Sequence, residues 1–367
     1  MISKKNKCIK YVIALLILAS CSTTSKDFVT AHNEFRQENH QKDMQNIYAY
    51  SSFFVNDLEV IQQIIDNKKL SQSELRELRS LKKNYQKILE KNKYQIKLNP
   101  NQKYSKELVE LVYQFNLPIN ISWDESNLNL IPSNLLTKKI DGFCSSLYDD
   151  SISSINKEIS RNSGSILIIY SDQYSMIAKK IKLDNSKIYT VKYDSSDFQD
   201  FAAKVLGINL SNTRFKKISN LNPNQVMNFN PRSRSDIKQI IMLLNPQEFK
   251  AMIPALRYHG GNKFKYINFI SSLEGLNNSL QLLDYEDSYT PISYFMSNKI
   301  QNEGMISIED HLKYGVLSDW LLEKVLKQAG VQSATKNGAT GIIFYNSSTC
   351  NKREIPLQKI SSDLFSY

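Results

Sequence analysis

From Ile47 onward, apolar side chains recur every three or four positions: Ile47, Tyr50, Phe54, Leu58, Ile61 and Ile65 share one face of a helix. A second run begins at Ser71, which has capping-box spacing to Glu74, and continues through Leu75, Leu78, Tyr85, Ile88 and Leu89. Together they predict an antiparallel helical hairpin over 45–96, read first as a packing element and spacer and second as a partner-binding element. The following KLNPNQK, Lys97 to Lys103, combines Asn and Pro with no apolar period and reads as a linker.

Beyond the linker the period alternates between helical and extended. Helices are predicted over Tyr104–Asn116, Asp149–Arg161, Gln173–Ile181, Ser196–Leu206, Pro246–Tyr258 and Ser307–Ala329. Strands are predicted over Pro118–Ser122, Ser165–Tyr170, Ile188–Tyr193, Ile240–Leu244, Tyr266–Ile270 and Gly341–Tyr345. Strands that are continuously apolar and separated by helices belong in a parallel sheet covered on both faces. The expectation for 104–367 is therefore a doubly wound α/β body, divided into two lobes.

Ahead of the hairpin, Lys4, Lys5, Lys7 and Lys10 precede a short apolar run from Tyr11 to Ala19. A membrane-spanning helix needs about 20 apolar residues, so 1–20 reads as a signal peptide. It ends in Leu18-Ala19-Ser20-Cys21, which resembles the bacterial lipoprotein signal. Small residues admit the peptidase there, and the Cys21 thiol accepts the lipid. Ser22 follows where an Asp would favour the inner membrane, so the expected address is the periplasmic face of a Gram-negative outer membrane. The polar, non-periodic stretch 21–44 reads as a lipidated tether.

Lysine and arginine number 47 against 36 acidic residues, a formal charge of +11, of which the four leader lysines account for four, leaving about +7. Such a surface suits anionic lipid or cell-wall polymer, so outer-membrane lipid through Cys21 and peptidoglycan are the expected contacts. The cations lack the aromatic interleaving of a strand-binding groove, and no nucleic-acid partner is expected. Of four cysteines, Cys8 lies in the leader and Cys21 carries lipid. Cys144 and Cys350 would be able to pair in an oxidising compartment, but their segments carry no partner signal and they read as unpaired. The histidines His32, His40, His259 and His311 show no metal-ligand spacing; no metal and no cofactor is expected.

Ligands of open α/β sheets sit beyond the carboxyl ends of the strands, which makes Ser122, Asp124, Ser171, Asp172, Ser271 and Ser272 the candidate cleft residues. For Ser171 and Asp172, directly before a helix, capping is the plainer account. Ser-x-x-Lys, which would place a lysine one turn from a serine nucleophile, occurs at Ser80/Lys83, Ser154/Lys157 and Ser235/Lys238. Three hits in a Ser- and Lys-rich chain are background, and Lys336-Asn337-Gly338 only approximates the companion Lys-Thr-Gly strand. Acidic pairs such as Asp149-Asp150 and Glu309-Asp310 sit at helix starts, where the macrodipole explains them. No catalytic residue is assigned.

The stretch NPRSRSDIKQIIMLLNPQE, Asn230 to Glu248, raises a different question: why two arginines and an aspartate precede a buried run. With the upstream segment it forms an ordered pattern: Leu206, Gly207, Ser211 and Arg214, then Pro231, Arg232, Arg234 and Asp236, an apolar strand, and a helix carrying Pro254. This order resembles that of the LppC-type lipoproteins, activators of class A penicillin-binding proteins, over roughly Leu117 to Phe365. The resemblance implies a type I periplasmic-binding-like body of two α/β lobes, here with a reduced first lobe. It also implies a non-enzymatic regulator of peptidoglycan synthesis whose partner is a class A penicillin-binding protein. A periplasmic solute-binding lipoprotein using the interlobe cleft is the alternative. For Arg232, Arg234 and Asp236 the first reading is a fold determinant, with pairing that fixes the strand entry; the second is a partner surface.

Overall fold

The computed structural model describes residues 62, 65–66 and 70–360, apart from 90–93, 115–116, 118, 127–130, 162, 182–186, 195–196, 222, 225, 277–278 and 294–306. The signal peptide, Cys21, the tether and nearly all of the first hairpin helix therefore lie outside the described residues. The second hairpin helix is present as α1, Gln72–Leu89. Ser71 N–H donates to the Glu74 carboxylate at 2.7 Å and the Ser71 hydroxyl accepts from Glu74 N–H at 3.3 Å, so the predicted capping box is formed.

After α1 come β1 (Tyr94–Leu98), α2 (Ser105–Gln114) and β2 (Ile119–Trp123). β1 and β2 pair in parallel, a small βαβ unit of their own. Lys97 and Leu98, expected in the linker, are thus strand residues. The side chains of Tyr94, Ile96 and Leu98 are buried while those between them face outward, the period-2 signature of a half-covered strand.

The main sheet is built from β3 (Ser165–Tyr170), β4 (Ile188–Lys192), β5 (Ile237–Leu243), β6 (Lys265–Asn268), β7 (Ser288–Pro291) and β11 (Leu357–Lys359). Its order is β11-β7-β6-β5-β3-β4, parallel throughout except for the edge pair β11–β7. Crossovers carry α4 (Ser175–Lys180) between β3 and β4, α5 (Phe198–Val205) and α6 (Ile208–Leu221) between β4 and β5, and α7 (Pro246–Gly260) between β5 and β6. α3 (Leu147–Arg161) precedes β3, and α8 (Ile308–Gln328) follows β7. The expected α/β body, with a parallel-rich sheet and flanking helices, is present. Ile166 to Ile169 and Ile240 to Leu244 are buried in its middle, because a central parallel strand is covered on both faces.

Helix starts follow local chemistry. Asn245 accepts from Glu248 N–H at 2.8 Å in a second capping box, with Pro246 opening α7. Asp197 accepts from the Gln199 and Asp200 amides to start α5, and Ser307 accepts from Asp310 N–H to start α8.

Two expectations are corrected. The strand expected at Gly341–Tyr345 exists as β9 (Ile342–Asn346), but it joins β8 (Ser333–Asn337) and β10 (Lys352–Glu354) in a separate antiparallel sheet. Cys144 and Cys350 are bonded as a disulfide with 4.9 Å between their Cα atoms. Their neighbours already join the segments: Cys144 N–H donates to Asn351 C=O at 2.9 Å and Asn351 N–H to Gly142 C=O at 2.8 Å. A partner 206 positions away in the chain leaves no local signal in either segment.

Candidate functional site

The two halves of the Leu206–Asp236 pattern meet at one joint. α5 ends at buried Leu206, and Gly207 turns the chain with φ +78° into α6. Against that turn lies Arg234. Its N–H donates to Leu206 C=O at 2.8 Å, and a Cβ on Gly207 would fall 3.1 Å from Arg234 Cγ. One turn along α6, the Ser211 hydroxyl accepts from Arg232 N–H at 3.2 Å. The Arg234 guanidinium forks onto Asp236, Nε to Oδ1 at 3.0 Å and Nη2 to Oδ2 at 2.6 Å, with its carbon 4.1 Å from the Tyr189 ring centre. Asp236 C=O accepts from Ser165 N–H at 3.0 Å, which ties the pair to the start of β3. The Arg234 hydrogen bonds hold the Asp236 carboxyl below the usual carboxylate range. A planar fork satisfied at both oxygens and stacked on an aromatic ring is work that lysine cannot do. Arg214 and Pro231 are exposed, and Pro254 is an exposed residue within α7.

The candidate cleft residues are not brought into one cleft. Ser122 and Asp124 belong to the β1–β2 unit. Asp124 accepts from the Ser126 N–H and hydroxyl and pairs with Lys97 at 3.7 Å; the Ser126 hydrogen bonds lower its pKa. The other four follow strands of the main sheet. Ser171 is buried and its N–H donates to Leu243 C=O, but its hydroxyl makes no capping bond, contrary to the simple expectation. Asp172 pairs with Lys192 at 2.8 Å. Ser271 and Ser272 are wholly buried. The Ser271 hydroxyl donates to Leu244 C=O at 3.2 Å; that of Ser272 donates to Phe269 C=O at 2.8 Å and accepts from Asn268 Nδ2 at 3.0 Å. These two serines brace the strand ends internally, since a buried hydroxyl must find a partner.

Near the same strand ends sits a pair that no local pattern announces. Tyr148 donates its hydroxyl hydrogen to Glu274, and Phe269 meets the Tyr148 ring edge-on at 4.9 Å. Burial raises the pKa of both Tyr148 and Glu274. A separate cleft of about 480 Å³ opens between the first turns of α2 and α8, lined by residues including Tyr104, Glu107, Asp310, Lys313 and Tyr314. Its charges are largely committed: Lys313 lies 2.8 Å from Glu309 and 3.6 Å from Asp310.

In the Ser154/Lys157 pair the two side chains turn to different partners. Ser154 donates to Ile355 C=O at 2.6 Å, and Lys157 pairs with Glu354. Among the described residues no group of three or more His, Cys, Asp or Glu side chains is placed to hold a metal ion. Nor, among them, is any helix long and apolar enough to cross a membrane.

No protein-family model and no curated protein matches the chain. Among solved structures, full-length LpoA from Haemophilus influenzae is similar to it at 13% identity, over 86% of this chain and 54% of that one, with a TM-score of 0.39. The chain thus spans about half the length of that neighbour.

Proposed function

We propose that the chain is a non-enzymatic lipoprotein, held by Cys21 to the periplasmic face of the outer membrane, that binds a class A penicillin-binding protein and stimulates peptidoglycan synthesis. The observation that carries this reading is the joint: Leu206, Gly207 and Ser211 engage Arg232 and Arg234 directly, although some 20 or more positions separate them in the sequence. That these five residues of the pattern resembling the LppC-type lipoproteins touch one another supports reading the pattern as one unit. Supporting it are the leader ending in Leu18-Ala19-Ser20-Cys21 and the polar tether that follows.

In this reading Arg234 and Asp236 set the entry into β5. Regulation by contact needs a rigid surface, which the forked ion pair supplies at the margin of the main sheet. Peptidoglycan is a further expected contact.

The deciding experiment is synthesis from lipid II by a purified class A penicillin-binding protein, with and without the soluble chain from Ser22 onward. A rise in glycan polymerisation or peptide crosslinking, with no activity from this chain alone, is the expected result. Unchanged synthesis by a demonstrably active cognate enzyme would refute the proposal.

A further inference from the structure

Helix α6 presents an inverted face. Of its 14 residues only Ile208 is buried, whereas a helix packed on a sheet ordinarily turns its large aliphatic side chains inward. Here Leu210 (59% exposed), Ile218 (50%) and Leu221 (80%) face solvent. With Arg214 and Lys217 they fall at intervals of three and four, on one side of the helix. The chain that follows adds Val226, 96% exposed, and Phe229, whose ring stacks on Phe215 of α6 at 4.1 Å and so holds this segment alongside the helix.

The charge on this surface has one sign. From Ile208 to Ser235 the sequence contains Arg214, Lys216, Lys217, Arg232 and Arg234 and no carboxylate. Arg234 is committed to Asp236; the other four are exposed. The exposed aliphatic side chains of α6 thus lie among cations with no carboxylate in the same stretch, a surface complementary in charge to an anionic headgroup layer and apolar enough to enter it.

We infer that α6 and the segment 226–232 form a docking surface for an anionic phospholipid bilayer. The aliphatic side chains enter the boundary between headgroups and acyl chains, and Arg214, Lys216, Lys217 and Arg232 meet the phosphates. Docking would hold the folded body against the membrane, in addition to any lipid on Cys21. The inference stands apart from the synthase reading and survives its failure.

The test uses the full chain and hydrogen–deuterium exchange, because the apolar leader would bring any variant to any vesicle and only a local readout separates the two contacts. Vesicles of phosphatidylglycerol with phosphatidylethanolamine are compared with phosphatidylcholine alone. Exchange should slow over 208–221 and 226–232 with the anionic vesicles only, and added salt should restore it. In the Lys216→Glu, Lys217→Glu variant the local protection should weaken at least about tenfold in lipid concentration, with thermal melting unchanged. Equal exchange with both vesicle types would overturn the inference. So would protection that appears only when a purified class A penicillin-binding protein is added without lipid, since that would make the face a protein interface.

Discussion

Gly207 and Arg234 share one point of close approach: the glycine has φ +78°, and the arginine Cγ lies 3.1 Å from where a Cβ would be. Alanine there meets two costs, a left-handed backbone and a side chain that must give way. Gly207→Ala should destabilise by about 1–2 kcal/mol in urea unfolding. Gly275, also left-handed but with open space around it, provides a control in which only the backbone cost applies. Equal losses at both positions would show that the contact with Arg234 contributes nothing.

The Arg234–Asp236 fork has a pH signature. The folded pKa of Asp236 is lowered, so its contribution is present above the unfolded value of about 3.9 and is lost as pH falls through the folded pKa. Both side chains are partly exposed, so the effect stays within about 1 kcal/mol. Arg234→Lys should keep the charge and lose the fork and the stacking on Tyr189. Unfolding at pH 3 and pH 6 should then show a smaller difference in the variant than in the parent chain.

Closing 206 positions of chain, the Cys144–Cys350 disulfide should contribute about 2–4 kcal/mol, mainly by restricting the unfolded state. Reductant should lower the melting temperature of the parent chain and leave the Cys144→Ser, Cys350→Ser double variant unchanged. A parent chain insensitive to reductant would refute this.

Arg353 is buried between two carboxylates, with Nη1 3.3 Å from Asp150 Oδ2 and Nε 4.0 Å from Asp319 Oδ2. Asp319 also accepts from the Ala339 and Thr340 amides, which anchors the antiparallel sheet to α8. Desolvation raises the pKa of both acids. Arg353→Met alone should cost about 3–5 kcal/mol, because it strands buried charge, and adding Asp150→Asn with Asp319→Asn should recover part of the loss. No recovery in the triple variant would mean that packing and not charge sets the cost.

Lys336 of β8 is buried, and desolvation pulls its ammonium down to about 7. Its unfolded value is about 10.4, so between these the unfolded chain binds more protons and stability rises with pH. From pH 7 to pH 9 the parent chain should gain on the order of 1–2 kcal/mol relative to Lys336→Met. Parallel pH profiles from chemical denaturation would refute the assignment.

The sequence determined the parallel core. β3, β5 and their helices were legible because SILIIY and the run around Ile240 bury both faces, and because Ser71 and Glu74 write their cap in neighbouring letters. β1 carried a period-2 signal in Tyr94, Ile96 and Leu98 that was outweighed by the Asn and Pro after it. β8, β10 and β11 are short edge or paired strands with polar residues, and their pairing comes from partners distant in the chain, which local pattern does not encode.

For the site, the order Leu206 to Asp236 was visible, but that Gly207 receives Arg234, or that Ser271 and Ser272 are sealed inside, was decided only by packing. The same holds for the disulfide and for the Arg353 cluster. Hydrophobic period and caps act over a few residues and can be read along the chain; ion pairs, crosslinks and exposed faces depend on which distant segments the core brings together.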